Sequence, residues 1–119
     1  AAIVIGDDAE IGSNTVVDRG VFERTRIGSG TKIDNLVHVG HQAQIGEDVL
    51  INQRCGIAGS VVLEDRVKLQ PNVSVGSKVT VGEGVEVGMD ATVLDDIDAD
   101  SKVIGSPAYV SDDDWCWWA

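Results

Sequence analysis

"IGEDVLINQRCGIAGSVVLEDRVKL", residues 45–69, carries an aliphatic side chain at every sixth position: Ile45, Ile51, Ile57, Leu63 and Leu69. Two residues ahead of the last four stands a second apolar residue, Val49, Cys55, Val61 or Val67. An apolar pair two residues apart is strand alternation, with both side chains on one face. Residues such as Gly, Asn and Asp between the pairs tolerate the backbone of a tight corner. The same beat begins at Ile27, Ile33 and Val39 and continues through Val75, Val81 and Val87 to Val93. Its companions run from Thr25 and Thr31 to Val85 and Ala91. A period of six matches neither helical repeat. Strand and corner, three times over, close a triangular coil of 18 residues. The expected fold is all-β: a parallel β-helix of about six coils over residues 1–108.

The register breaks once. Ile5, Ile11 and Val17 keep the beat, but the next aliphatic in the later frame is Val21, only four residues on. "VVDRGVFERTRIG" (16–28) therefore reads as containing a corner shortened by two residues. Past Val93 the pattern loosens in "LDDIDADSKVIGSPAYV" (94–110), where a last half-coil is expected. Residues 109–119 form a second unit, a Trp-rich tail with Trp115, Trp117 and Trp118. Its expected duty is to cap the open end of the coil stack, which would otherwise expose strand edges; an aromatic ligand platform is the alternative.

Composition narrows the function. The net charge is −11, from 20 acidic and nine basic residues, and the basic ones form no stripe. Nucleic acid and anionic membrane surfaces are thereby disfavoured as partners. Aromatics make up only 4% of the chain, which suits a narrow interior filled by aliphatics. Cys55 and Cys116 make neither a disulfide framework nor a zinc signature. The two histidines fall short of the three that a β-helical carbonic anhydrase uses for zinc, so no metal site is expected. No apolar run approaches the ~18 residues of a membrane span, and no signal peptide is evident. The expectation is a soluble, cytoplasmic protein.

Alternation turns both histidines outward. His38 lies between inward Val37 and Val39, on a flat wall, whereas His41 follows Gly40 at a corner. Eighteen residues after His41, and so stacked on it, comes Gly59. A base beside an unobstructed amide N–H is the minimum for acyl transfer. The neighbouring corner offers Asp34 and Asn35 as hydrogen-bonding groups for a substrate or an imidazole.

"DRG" (18–20), "DNLVHVGHQAQIGED" (34–48) and "GIAGS" (56–60), in this order and spacing, resemble the UDP-3-O-acylglucosamine N-acyltransferase family of lipid A biosynthesis, within the hexapeptide-repeat acyltransferases. The resemblance runs over roughly residues 3 to 90 and implies that the coils are left-handed, against the usual crossover preference. It implies a homotrimer with sites in clefts between subunits. It also implies transfer of an acyl group from the phosphopantetheine thioester of acyl carrier protein to the amine of a nucleotide-linked sugar. By position, His41 corresponds to the family's general base and Gly59 to its oxyanion amide. A second family histidine, in an "AGH" segment, is replaced by Lys78 in "VGSKV", which keeps a positive charge there. The family's N-terminal nucleotide-binding domain has no counterpart in these residues. "DSKVIGSPAYV" (100–110) is more similar to the ending of hexapeptide acetyltransferases. Two alternatives therefore stay open: an acetyl-CoA-dependent N-acetyltransferase acting on a sugar or amino acid, and a β-helix scaffold without catalysis, truncated or engineered. Electrostatics discriminates among them, because both donors carry phosphate. Arg19, Arg24, Arg26 and Lys78 would need to gather into a basic patch; dispersed on separate faces, they would speak against an enzyme.

Overall fold

The computed structural model describes residues 2–111. Each inward pair of the repeat is a short strand, and the strands stack into three flat walls. Wall one holds Ile3–Ile5, Thr25–Ile27, Gln44–Ile45, Val62–Leu63 and Thr80–Val81. Wall two holds Glu10–Ile11, Lys32–Ile33, Leu50–Ile51, Lys68–Leu69, Glu86–Val87 and Lys102–Ile104. Wall three holds Val16–Val17, His38–Val39, Gly56–Ile57, Ser74–Val75 and Thr92–Val93. Pairing within these walls is parallel. Tyr109–Val110 adds to the end of wall two as an antiparallel strand. The molecule is a left-handed parallel β-helix of about six coils. The Trp-rich residues 112–119, and with them the proposed cap, lie outside the described residues.

The core is the inward column. Ile51, Ile57, Leu63, Leu69 and Val81 are fully buried, as are their companions Val61, Val67, Val73 and Val85. Two buried inward positions are polar, Thr25 and Thr31, and each is satisfied. The Thr31 hydroxyl donates to the Gly46 carbonyl (2.8 Å) and accepts from the Val49 N–H (3.1 Å); that of Thr25 accepts from the Gln42 N–H (2.9 Å). A buried hydroxyl without such partners would cost about 1–3 kcal/mol.

The corners divide the work between two positions. The glycine after the inward aliphatic is there for closeness. A Cβ on Gly40 would lie 2.8 Å from the Gly59 nitrogen and from the Ala58 carbonyl carbon of the next coil. The left-handed backbone falls two residues later, at Leu36 (φ 59°), Gln42 (63°), Ser60 (61°) and Lys78 (64°). Such a conformation costs roughly 1–2 kcal/mol for a residue with a Cβ. The N–H of this residue is directed at the corner carbonyl of the coil below in Leu36 to Ser13 (3.0 Å), Ser60 to His41 (2.9 Å) and Lys78 to Gly59 (3.1 Å), whereas that of Gln42 goes to the Thr25 hydroxyl.

The register break is the reverse of the expected shortening. Ile3, Glu10 and Val16 pair with Thr25, Lys32 and His38, each 22 residues on, where later coils pair 18 apart. The first coil is thus longer by four residues, all of them in a corner loop spanning 18–24. Val21 is not an inward residue at all: it is 62% exposed, and Phe22 is 88% exposed. The shortening by two occurs at the other end, where Glu86 pairs with Lys102 and Val87 with Val103, 16 residues apart.

Candidate active site

The corner between walls three and one stacks four segments: the long loop 18–24, then Gly40–Gln42, Ala58–Ser60 and Gly76–Lys78. His41 is exposed, and its imidazole lies against Gly59 of the next coil. A Cβ on Gly59 would stand 2.5 Å from Cε1 and 2.6 Å from Nε2 of that ring. Glycine is therefore required here to seat the imidazole, not to supply a left-handed backbone. The Gly59 N–H has no acceptor among the described residues, whereas the amides of Ser13 and Glu47 at the equivalent position meet a side chain of the next coil. No described side chain hydrogen-bonds the His41 ring. The pair thus presents a ring nitrogen and an amide donor side by side at one edge.

Lys78 follows on the same edge, exposed and outside every ion pair of the described residues. Asp34 and Asn35 are placed elsewhere, at the opposite edge of wall three from His41. Both are engaged there: Asn35 Oδ1 accepts from the Ser13 N–H (2.7 Å), and Asp34 Oδ1 accepts from the Asn35 N–H (2.9 Å). One chain does not bring them to its own His41. His38 is occupied by a neighbour, its Nε2 2.8 Å from Oδ2 of Asp18 in the coil below. Cys55 is buried, its thiol 3.2 Å from the Gln70 carbonyl and its pKa pushed up to about 11 by burial, so it is no nucleophile. Among the described residues no three His, Cys, Asp or Glu side chains converge on a point where an ion would sit.

Sequence reasoning missed the loop and what holds it. The Gln42 side-chain oxygen accepts from the N–H groups of Val21 (3.2 Å) and Phe22 (2.7 Å), while its Nε2 donates to Ser60 (3.3 Å). Gln44 donates to the carbonyls of Arg24 (2.7 Å) and Gln42 (3.1 Å). The corner that carries His41 thus clamps the loop below it. A signal existed: each inward aliphatic from Ile27 to Val93 has a small or apolar companion two residues earlier, whereas Val21 has Arg19. The basic residues gather in part. Arg24 and Arg26 line one hollow at the loop's end, and Lys78 stands on the same corner two coils beyond His41.

Residues 24–59 match the model described as "Bacterial transferase hexapeptide (six repeats)", and residues 42–77 match "Hexapeptide repeat of succinyl-transferase". A UDP-3-O-acylglucosamine N-acyltransferase of Paracoccus denitrificans is 61% identical over 56 residues, 47% of this chain and 15% of that protein. The enzyme of the same name from Leptospira biflexa is 52% identical over 61 residues, 51% of this chain and 17% of that protein. This chain therefore spans only about a sixth of the length of the relatives that it matches. The UDP-N-acetylglucosamine acyltransferase of Francisella novicida superposes with a TM-score of 0.90 over 92% of this chain and 41% of that one, at 26% identity. Across its repeat the chain resembles the UDP-3-O-acylglucosamine N-acyltransferases, as its motifs imply.

Proposed function

We propose, for a chain whose residues 24–77 carry the hexapeptide repeat of bacterial transferases, that it transfers an acyl group from a phosphopantetheine thioester to the amine of a nucleotide-linked sugar. The observation that carries this reading is the apposition of the His41 imidazole and the unpartnered Gly59 N–H. His41 takes a proton from the amine as its nitrogen attacks the thioester carbonyl. The C–N bond forms and the carbonyl oxygen becomes an oxyanion, which the Gly59 N–H steadies. Collapse breaks the C–S bond, and the thiolate leaves with the proton that His41 held.

Acyl carrier protein is the donor in this reading, and the cytoplasm its setting. The chain works as a homotrimer: Asp34 and Asn35, at the far edge of wall three, reach a substrate at His41 only from a neighbouring subunit. Lys78 supplies a positive charge to an anionic part of the substrate, in the place of the family's second histidine.

The test is acyl transfer to amino-sugar nucleotides from acyl carrier protein and, separately, from acetyl-CoA, by the parent chain and His41→Ala. A loss of roughly 10²-fold or more in kcat/KM for the variant is expected of a general base. Unchanged turnover removes His41 from the mechanism. Turnover with acetyl-CoA alone moves the reading to an N-acetyltransferase, and none with either donor favours a scaffold.

A further inference from the structure

Where loop 18–24 rejoins wall one it leaves a hollow of about 380 Å³, lined by Phe22, Glu23, Arg24, Arg26 and Gln44. That volume lies within the range of small-molecule sites, ~300–1,000 Å³. Three features of its lining point to one kind of ligand. Strand alternation around inward Thr25 and Ile27 sets Arg24 and Arg26 on the same outward face, about 7 Å apart along the strand. Neither guanidinium forms an ion pair among the described residues, so both forks of donors face the hollow uncommitted. Glu23 lines the same hollow and still pairs with neither. Phe22, 88% exposed, stands on a loop whose backbone Gln42 pins through two N–H groups. The Gln44 amide spends its nitrogen on the Arg24 and Gln42 carbonyls, and its Oε1 makes no hydrogen bond among the described residues.

We propose that this hollow is a subsite for a nucleoside diphosphate, with Arg24 and Arg26 on the two phosphates, Phe22 against the face of the base, and Gln44 Oε1 accepting from a ribose hydroxyl or base N–H. Paired guanidiniums suit adjacent phosphates because each offers a planar fork of donors. An exposed aromatic ring on a fixed backbone suits the flat face of a base. The subsite lies on the edge that carries His41, with Gln44 three residues beyond it in the same coil. Both kinds of substrate invoked above contain this unit: the nucleotide sugar as acceptor, and coenzyme A as donor. The inference rests on the acyl-transfer reading for which of them is used, and its binding test does not.

Calorimetric titration of the full chain with UDP, coenzyme A and inorganic pyrophosphate decides it, using the parent, Arg24→Gln/Arg26→Gln, Phe22→Ala and Arg54→Gln. All the altered side chains are exposed, and circular dichroism checks that each variant keeps its strands. At least one nucleotide is expected to bind the parent. The double arginine variant should weaken that binding roughly 10-fold or more, and Phe22→Ala should weaken nucleotide binding but not pyrophosphate binding. Arg54→Gln, at a different corner, should bind as the parent does. Binding of UDP assigns the subsite to the acceptor, and binding of coenzyme A assigns it to the donor. The proposal is overturned if neither nucleotide binds, if the double variant binds like the parent, or if pyrophosphate binds as well as the nucleotides and Phe22→Ala changes nothing. Failure of the two readings is separable. Arginine-dependent nucleotide binding without acyl transfer leaves the subsite standing and removes the enzyme; His41-dependent transfer with nucleotide binding indifferent to Arg24 and Arg26 does the opposite.

Discussion

At the residue scale, Gly59 and Cys55 show how one coil sets the chemistry of the next. Gly59→Ala places a Cβ inside contact distance of the His41 ring, which must swing away. The expected outcome is a fall in acyl transfer close to that of His41→Ala, with strands intact by circular dichroism; wild-type turnover would mean that the ring works from another position. Cys55 yields a pH prediction. Burial raises its pKa from an ordinary 9.0 to about 11 in the folded chain, because the thiolate is disfavoured away from water. Between those values the unfolded chain loses the proton and the folded chain keeps it. The stability this thiol contributes is therefore full below pH 9 and declines as pH rises toward about 11. Urea midpoints at pH 8 and pH 10.5 should fall further for the parent than for Cys55→Val, a residue that other coils accept at this inward position. Equal falls in both would show that the thiol titrates as if exposed.

At the scale of the element, a wall is as firm as its inward column. Leu63 is fully buried between Ile45 and Val81, its partners in the adjacent coils. Leu63→Ala removes transfer free energy and opens a cavity in a column too regular to collapse around it, so a loss of about 2–5 kcal/mol is expected in urea unfolding. Loop 18–24 is held differently, by side-chain hydrogen bonds instead of burial. Gln42→Ala frees the Val21 and Phe22 N–H groups, and trypsin should then cut after Arg19 and Arg24 well before it cuts elsewhere. A cleavage rate equal to the parent's would show that the loop needs no clamp. The inward column and the corner beside His41 were legible in the sequence because each is a period-six pattern read along a single strand. The loop was not, because Val21 satisfies the aliphatic half of the pattern and only its charged companion Arg19 betrays it.

At the scale of the whole molecule, a coil stack is nearly one-dimensional: each coil is stabilised chiefly by its two neighbours. Among the described residues the coil of residues 3–17 packs against one other coil, and its inward residues are open, with Ile5 50% and Ile11 38% exposed against none for Ile51 and Leu63. Amide hydrogen exchange should be fastest in residues 3–17 and slowest in the central coils, 45–81. Uniform protection would mean that something covers that end in solution. The proposed trimer belongs to this scale as well. Sedimentation equilibrium should return the mass of three chains, because three copies of one heterologous wall contact close on themselves. A monomer would leave the Asp34–Asn35 corner with no route to His41.

By itself the sequence determined the coil: a six-residue beat of inward aliphatics has one economical burial, and motifs local to a strand and its corner survive reading in one dimension. The stacking of His41 on Gly59 one coil away followed from the same arithmetic, and the likeness to the acyltransferases was carried by the motifs at 18–20, 34–48 and 56–60. Only the tertiary structure decided where the lost register went, and so put Val21 and Phe22 outside, on a loop that the Gln42 corner holds. It alone showed Asp34 and Asn35 engaged by hydrogen bonds at their own corner and set Arg24, Arg26 and Phe22 around one hollow. The physical reason is that the repeat specifies which side chains face inward. What meets on the outside depends on how many residues each corner spends before the next strand begins.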